Sequence, residues 1–164
     1  MRRMGKILKI YTVEDKKEEK FLRELSKEVS LEEIKSDEFQ TFLDDLLFTA
    51  QNVTTQEGYI AAGLAAVQVG KHYNMFCILE EDSRDFYTMI NPKIEILNTL
   101  QSSEKEGCLS IPGVEKPVRR FKKIRVTYLD RQGKKNRKVF TEYEAREIQH
   151  EYDHTQGILF TDRI

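Results

Sequence analysis

The chain has 164 residues and 19.3 kDa, enough for one well-cored domain and not for two, so residues 1–164 are read as a single domain. Lys and Arg number 27 against 28 Asp and Glu, and the net charge of −1 argues against nucleic acid as a direct partner, because phosphate binding needs a basic surface or stripe. At 39% hydrophobic and 34% charged, the chain can build a core under a solvated surface, and no apolar run approaches the roughly 20 residues that span a bilayer.

The N-terminal run Met1-Arg2-Arg3-Met4-Gly5-Lys6 is basic, but the apolar stretch behind it, Ile7 to Tyr11, is too short for a secretory segment. Cys77 and Cys108 are therefore expected to be reduced thiols in a cytoplasmic protein. Between Glu14 and Glu38, blocks of Lys and Glu read as solvated loop with a fragment of helix, and Ser30-Leu31-Glu32-Glu33 has the spacing of a capping box. Ser36 is placed to cap a stronger helix. Phe39, Phe42, Leu43, Leu46, Leu47 and Ala50 then recur at helical spacing and predict one buried stripe.

Strands are expected next. Met75 to Leu79 is a short apolar run suited to a strand buried on both faces, with Cys77 as an inert core thiol. Asn91-Pro92 punctuates the following pair of strand-like runs, and Ile124 to Tyr128 leads through Arg131-Gln132-Gly133 into Lys138-Val139-Phe140 as a hairpin. A last helix is predicted to open at Thr141 with Glu144 completing a capping box, and to end at Gly157. The pattern predicts an α+β fold, with antiparallel β-sheets packed around the C-terminal helix and a second, N-terminal helix.

That last helix carries His150-Glu151-Tyr152-Asp153-His154. Two histidines four apart stand one turn above the other and can hold one metal ion, while Glu151 is placed to take a proton from metal-bound water. A catalytic site of this kind needs a third protein ligand and an open position. Downstream, position 160 is Phe where a further histidine would fall, and Asp162 lies close to the chain end, so the ligand is sought upstream. Cys108 is the best candidate, because a thiolate suits zinc or ferrous iron. The remaining histidine, His72, follows Gly70-Lys71 in an apparent turn and is read as a surface residue. Ala61 to Gly70 is a run of small residues that permits close backbone approach, with Gln68 as an uncharged amide donor.

Taken together, Gly63 to Gln68, Glu106 to Ser110 and Gln149 to His154 resemble the peptide deformylase family, with weaker echoes over most of the chain. The resemblance implies a metal-dependent hydrolase that removes the formyl group from formyl-methionyl nascent polypeptides. It implies that Cys108, His150 and His154 hold the ion, Fe²⁺ first, with Zn²⁺, Ni²⁺ and Co²⁺ as options. Glu151 would be the general base and acid, the Gln68 side chain and the Leu109 amide would meet the oxyanion, and Gly63 and Gly107 would contact the peptide backbone. The substrate it implies would be met near the ribosome; a monomer is expected, and the chain's own features give the expectation of a cytoplasmic protein without membrane contact. A metallopeptidase acting on other amides and a non-catalytic metal-stabilised module are the competing readings.

The chain departs from the family at Ala61, Ala62 and Thr155, none of which is a catalytic position. Glu147 departs more consequentially. It precedes His150 by three residues, which puts it on the metal-facing side of the helix, where the family usually carries an apolar or small residue. Arg120, which matches an arginine near the family's substrate pocket, is the expected counter-charge if Glu147 turns inward; relaxed selectivity for methionine is the expected consequence.

Overall fold

A computed structural model describes residues 4–164; Met1, Arg2 and Arg3 of the basic N-terminal run lie outside the described residues. Asp15 opens α1 (Lys16–Leu22), its carboxylate accepting hydrogen bonds from the amides of Lys17 (2.8 Å) and Glu18 (3.1 Å). This helix lies in the stretch expected to be mainly loop, and it is held there because Leu22 is fully buried in the core. Ser30 caps α2 (Leu31–Ile34) through the Glu33 amide, and Ser36 caps α3 (Asp37–Asn52) through the Phe39 amide. Of the predicted stripe on α3, all but the partly exposed Leu47 are buried.

β1 (Gly63–Ala65) runs into one 3-10 turn, Ala66–Val69, which ends at Gly70 in the left-handed region (φ 88°). β2 (Met75–Leu79) follows, and then β3 (Phe86–Ile96). Asn91-Pro92 does not separate two strands; it forms a bulge inside β3, where the register shifts between Ile90 and Lys93 and Asn91 takes φ 50°. The Asn91 amide group pays for that conformation by exchanging two hydrogen bonds with the Val29 backbone, at 2.9 and 2.8 Å. Next come β4 (Gln101–Cys108), β5 (Ile111–Phe121), β6 (Lys123–Leu129) and β7 (Lys135–Thr141). α4 (Glu142–Thr155) closes the set.

The predicted capping box at Thr141 does not form. Thr141 makes no side-chain cap bond, Glu142 is bent into the left-handed region (φ 51°) with its amide bonded to the Lys122 carbonyl, and the Glu144 carboxylate accepts from the Glu81 amide instead. The chain passes directly from β7 into α4, so the strand's own pairing fixes the helix start. Gly157 ends α4 as expected (φ 73°), and it also sits against the Arg23 carbonyl, where a Cβ would collide.

β1, β2, β3, β6 and β7 form one antiparallel sheet in the order β1-β2-β3-β6-β7; β4 and β5 form a separate two-stranded ribbon. Successive strand residues point to opposite faces. Phe76 and Ile78 therefore pack toward α4 with Val126, Phe140 and Ile148, while Met75 and Cys77 pack toward α3 with Leu43, Leu46 and Ile90. Cys77 is fully buried and burial pushes its thiol up, as an inert core thiol requires. None of the helices is long and apolar enough to cross a membrane among the described residues. Leu46→Ala removes a fully buried side chain under α3. It should lower unfolding free energy by about 2–5 kcal/mol, read from a shifted urea midpoint at unchanged m-value.

Candidate active site

α4 carries His150 and His154 one turn apart, with ring centroids 5.2 Å from each other. Cys108 is brought to them by the ribbon: β4 ends at Cys108, the register shifts there, and the chain turns through Leu109-Ser110 to pair Cys108 with Ile111. Its Sγ lies 3.4 Å from His154 Nε2, and one ligand atom from each of Cys108, His150 and His154 lies within 4.8 Å of the others. The three residues separated by up to 46 positions thus converge as the metal constellation requires.

These donors suit a metal ion by their own chemistry. His150 Nδ1 is hydrogen-bonded to Glu106 Oε1 (2.8 Å), which leaves Nε2 as the ring's free ligand atom. Burial would push the His150 imidazole down, but hydrogen bonds to Cys108 and Glu106 hold it well above the ordinary range. His154 is pushed well below that range by burial and by its neighbour His150. A thiol and two imidazoles that meet beside the Glu106 carboxylate are a donor set that fits a divalent cation.

Glu106 is the acceptor that organises the site. Its two oxygens take hydrogen bonds from Arg120 (2.9 and 2.9 Å), Arg146 (2.7 Å) and His150. Burial alone would raise this carboxyl; the hydrogen bonds from Arg120 and His150 hold it down at about 2. Arg120 also donates to Asp153 (2.7 Å), which in turn accepts from Arg163. Arg146 donates to the carbonyls of Val118 and Ser102 as well, so the network ties α4 to both strands of the ribbon.

This network corrects two expectations. Arg120 is 3% exposed, does not line the cavity that Glu147 faces and is engaged by Glu106 and Asp153, so it forms no ion pair with Glu147. His72 is not a plain surface residue; its ring stacks on Phe21 at 3.7 Å and reaches the Phe21 carbonyl at 3.1 Å, away from the metal ligands. Sequence analysis also passed over Glu106, Arg146 and Asp153 as individual residues. The available signal was position: Arg146 and Asp153 stand four before and three after His150, charged residues on the buried face of α4.

A cavity of about 400 Å³ opens beside the three ligands. It is lined by Gly63, Gln68, Gly107, Cys108, Leu109, Glu147, His150 and Glu151, with apolar walls from Val53, Ile60 and Ile111. Glu151 is 3% exposed, its Oε1 lies 3.9 Å from His150 Nε2, and its Oε2 is buried without a hydrogen-bond partner among the described residues. Burial, reinforced by Glu147 and Glu106 against the opposing His150, pushes its carboxyl up to about 8. Gly63 must be glycine at this point: a Cβ there would meet Glu151 Cγ at 2.8 Å and the Cys77 carbonyl at 2.9 Å. Gln68 is held at both ends of its amide. Oε1 accepts from the Ala65 amide (3.0 Å), and Nε2 donates to Ser110 Oγ (3.0 Å) while facing Cys108 Sγ at 3.5 Å. Glu147 does turn toward the cavity. It is half-buried, makes no side-chain hydrogen bond among the described residues, and burial pushes its carboxyl up.

Known proteins share this arrangement. A profile of the polypeptide deformylases matches residues 7–164. A peptide deformylase of Fusobacterium nucleatum is 37% identical over 146 residues, covering 89% of this chain and 79% of that one. A class I type b peptide deformylase from Acinetobacter baumannii, solved with Met-Ala-Ser bound, superposes with a TM-score of 0.84 at 28% identity, over 98% of this chain and 100% of that one. A peptide deformylase from Synechococcus elongatus in complex with actinonin superposes with a TM-score of 0.81 at 35% identity, over 100% of this chain and 84% of the other. The whole-length match and the converged ligands lead to one conclusion: the chain belongs to the polypeptide deformylase family, metal-dependent hydrolases that remove the formyl group from nascent polypeptides.

Proposed function

We propose that this chain deformylates N-formyl peptides at the cavity beside α4, with Cys108, His150 and His154 holding one divalent ion and Glu151 moving the proton. The observation that carries this reading is the meeting of a thiol and two imidazoles with a buried, unpartnered carboxylate oxygen at the floor of a cavity. An ion held there supplies Lewis acidity toward the formyl oxygen and toward water. One thiolate with two imidazoles suits Fe²⁺, the ion we assign, and also accommodates Zn²⁺, Co²⁺ or Ni²⁺.

Glu151 takes the proton of the attacking water and delivers it to the departing amine, a role that its buried position favours because no other group competes for Oε2. The formyl oxygen gains charge as its carbon becomes tetrahedral. The Gln68 Nε2 group donates to Ser110 Oγ and to Cys108 Sγ, which holds it beside the metal ligands, and the Leu109 amide lies in the turn after Cys108; both serve as oxyanion donors, Gln68 by redirecting the weaker bond to sulfur. One such donor is worth about 3–4 kcal/mol to the transition state. β1 is an edge strand with one side unpaired next to the cavity, which suits a peptide that adds as a further strand, its backbone meeting Gly63 and Gly107. A metal-stabilised module without turnover would not need the unpartnered Glu151, and an internal peptidase is disfavoured by family membership.

The site is complete within one copy of the chain, which supports a monomer, and both core clusters share the same sheet, which supports a single domain. Cys77 and Cys108 are free thiols, as a reducing cytoplasm favours, and the substrate places the enzyme at chains leaving the ribosome. Glu147 is assigned to recognition of the first side chain. A carboxylate without a hydrogen-bond partner in the cavity wall disfavours a purely apolar occupant and welcomes a hydrogen-bond donor, so selectivity for methionine is relaxed.

Three measurements test these assignments. Glu151→Gln should keep the fold and metal content and lower kcat on a formyl-peptide by about 10²–10⁴-fold; unchanged kcat removes Glu151 from the chemistry. Glu106→Gln should weaken metal binding by about 10–100-fold, followed by elemental analysis during chelator titration of anaerobically purified protein. Comparing kcat/KM for formyl-Met, formyl-Gln and formyl-Lys peptides should show ratios within about tenfold, and Glu147→Val should widen them in favour of Met; a strong preference for Met in the unaltered protein discards the role of Glu147.

A further inference from the structure

The apolar stretch from Ile7 to Tyr11, too short for export, has a definite use in the fold. Residues 6–13 join neither sheet. Their amides go instead to three separate elements. Lys6 donates to the Asp45 carboxylate (2.9 Å) and Leu8 to Thr49 Oγ1 (2.9 Å), both on α3. Tyr11 then donates to the Gln68 carbonyl (2.7 Å), and Val13 to the Ser110 carbonyl (2.9 Å). The segment is therefore a strap that runs from α3 across the 3-10 turn of Gln68 to the turn at Leu109-Ser110.

Those two turns carry the groups assigned to the oxyanion, and Gln68 and Ser110 are 42 positions apart in the chain. Among the described residues no backbone hydrogen bond joins the turns directly. Their direct links are side-chain bonds, from Gln68 Nε2 to Ser110 Oγ (3.0 Å) and to Cys108 Sγ (3.5 Å). Such bonds alone would let one turn shift against the other. Two amides two residues apart span at most about 7 Å, so the strap ties both backbones to one short piece of chain.

The strap is itself fixed. Tyr11 packs edge-on to Phe21, with ring centroids 5.3 Å apart, and both Tyr11 and Val13 pack against the core that includes Leu22 and Ile148. Gly70 ends the Gln68 turn in the left-handed region, and a Cβ there would lie 2.7 Å from the Tyr11 hydroxyl oxygen and 2.9 Å from its Cζ. A segment that only closed the core could spend its amides on any carbonyl along its path. This one takes the carbonyl of Gln68 itself and that of the residue after Leu109.

We propose that Tyr11 and Val13 are positioning residues for the oxyanion donors: their amides set the register of Gln68 against the Leu109 amide, so that both meet the same oxygen. The proposal rests on the deformylase reading, with Gln68 as a donor. Donors of this kind act because they are in place before the charge develops. The metal ligands are held independently of the strap, His150 and His154 by α4 and Cys108 by its pairing with Ile111.

Amide-to-ester replacement at Tyr11, using the α-hydroxy analogue of tyrosine, deletes the N–H given to Gln68 and keeps the ring. On metal-loaded enzyme, kcat for a formyl-peptide should fall about tenfold, while KM and metal content stay within about twofold. Gln68→Ala alone should lower kcat by about 10²–10³-fold. In the Gln68→Ala background the ester should cost less than about twofold more, because the donor it positions is gone. A merely structural role for Tyr11 costs the same factor in both backgrounds and overturns the proposal, as does an ester that leaves kcat unchanged. If the Tyr11 ester does not fold or load metal, the ester at Val13 takes its place in the same two backgrounds. Full kcat in Gln68→Ala overturns the oxyanion assignment itself, which distinguishes that failure from a failure of the strap.

Discussion

The carboxylate of Glu106 is the point on which the site depends. It is buried, it is kept ionised by hydrogen bonds from Arg120, Arg146 and His150, and it fixes the His150 ring so that Nε2 is the atom left for an ion. The same residue stands two before Cys108 on β4, so one anchor positions candidate ligands from two distant parts of the chain. Four charged side chains in a dry interior would be costly one by one. As a closed set, with Asp153 and Arg163 completing the outer end, they are mutually compensated. Burial of this network also explains why Arg120 serves the ligands indirectly and is withdrawn from the cavity that Glu147 faces.

The layers around the network determine where chemistry takes place. α4 lies between the large sheet and the two-stranded ribbon, burying its ligand face, and β1 is left as an unpaired edge beside that face. Small residues matter here for reach. Gly63 lets the strand approach Glu151 more closely than any side chain would allow, and the turn at Leu109-Ser110 swings Cys108 back toward His154 while Ser110 steadies Gln68. His150 and Gln68 are held by fixed hydrogen-bond partners, whereas Glu151 Oε2 is left without one beside the cavity.

Charge is arranged at two scales. Within the cavity, carboxylates gather and no Lys or Arg lines the wall. Across the sheet, cations collect on the face left bare by α3. One chain with balanced totals thus presents an acidic cleft and a basic side, with the sheet's width between them.

The sequence by itself determined the elements whose cause is local: the Ser36 cap and stripe of α3, the apolar run of β2, the hairpin through Gly133, the stop at Gly157, and the pairing of His150 with His154 on one helix face. Cys108 was legible as a candidate ligand because few other residues could complete the set, and the fold brings it to the two histidines. Tertiary structure alone decided the rest. The bulge at Asn91 depends on the Val29 backbone, α1 depends on burying Leu22, and the start of α4 depends on β7 and Lys122 rather than on Thr141. The partners of Arg120 and the clustering of cations depend on strand register. Caps and periodicity act within a few residues and can be read directly, whereas ion networks and sheet faces join residues 14 to 44 positions apart, whose meeting only the packed fold brings about.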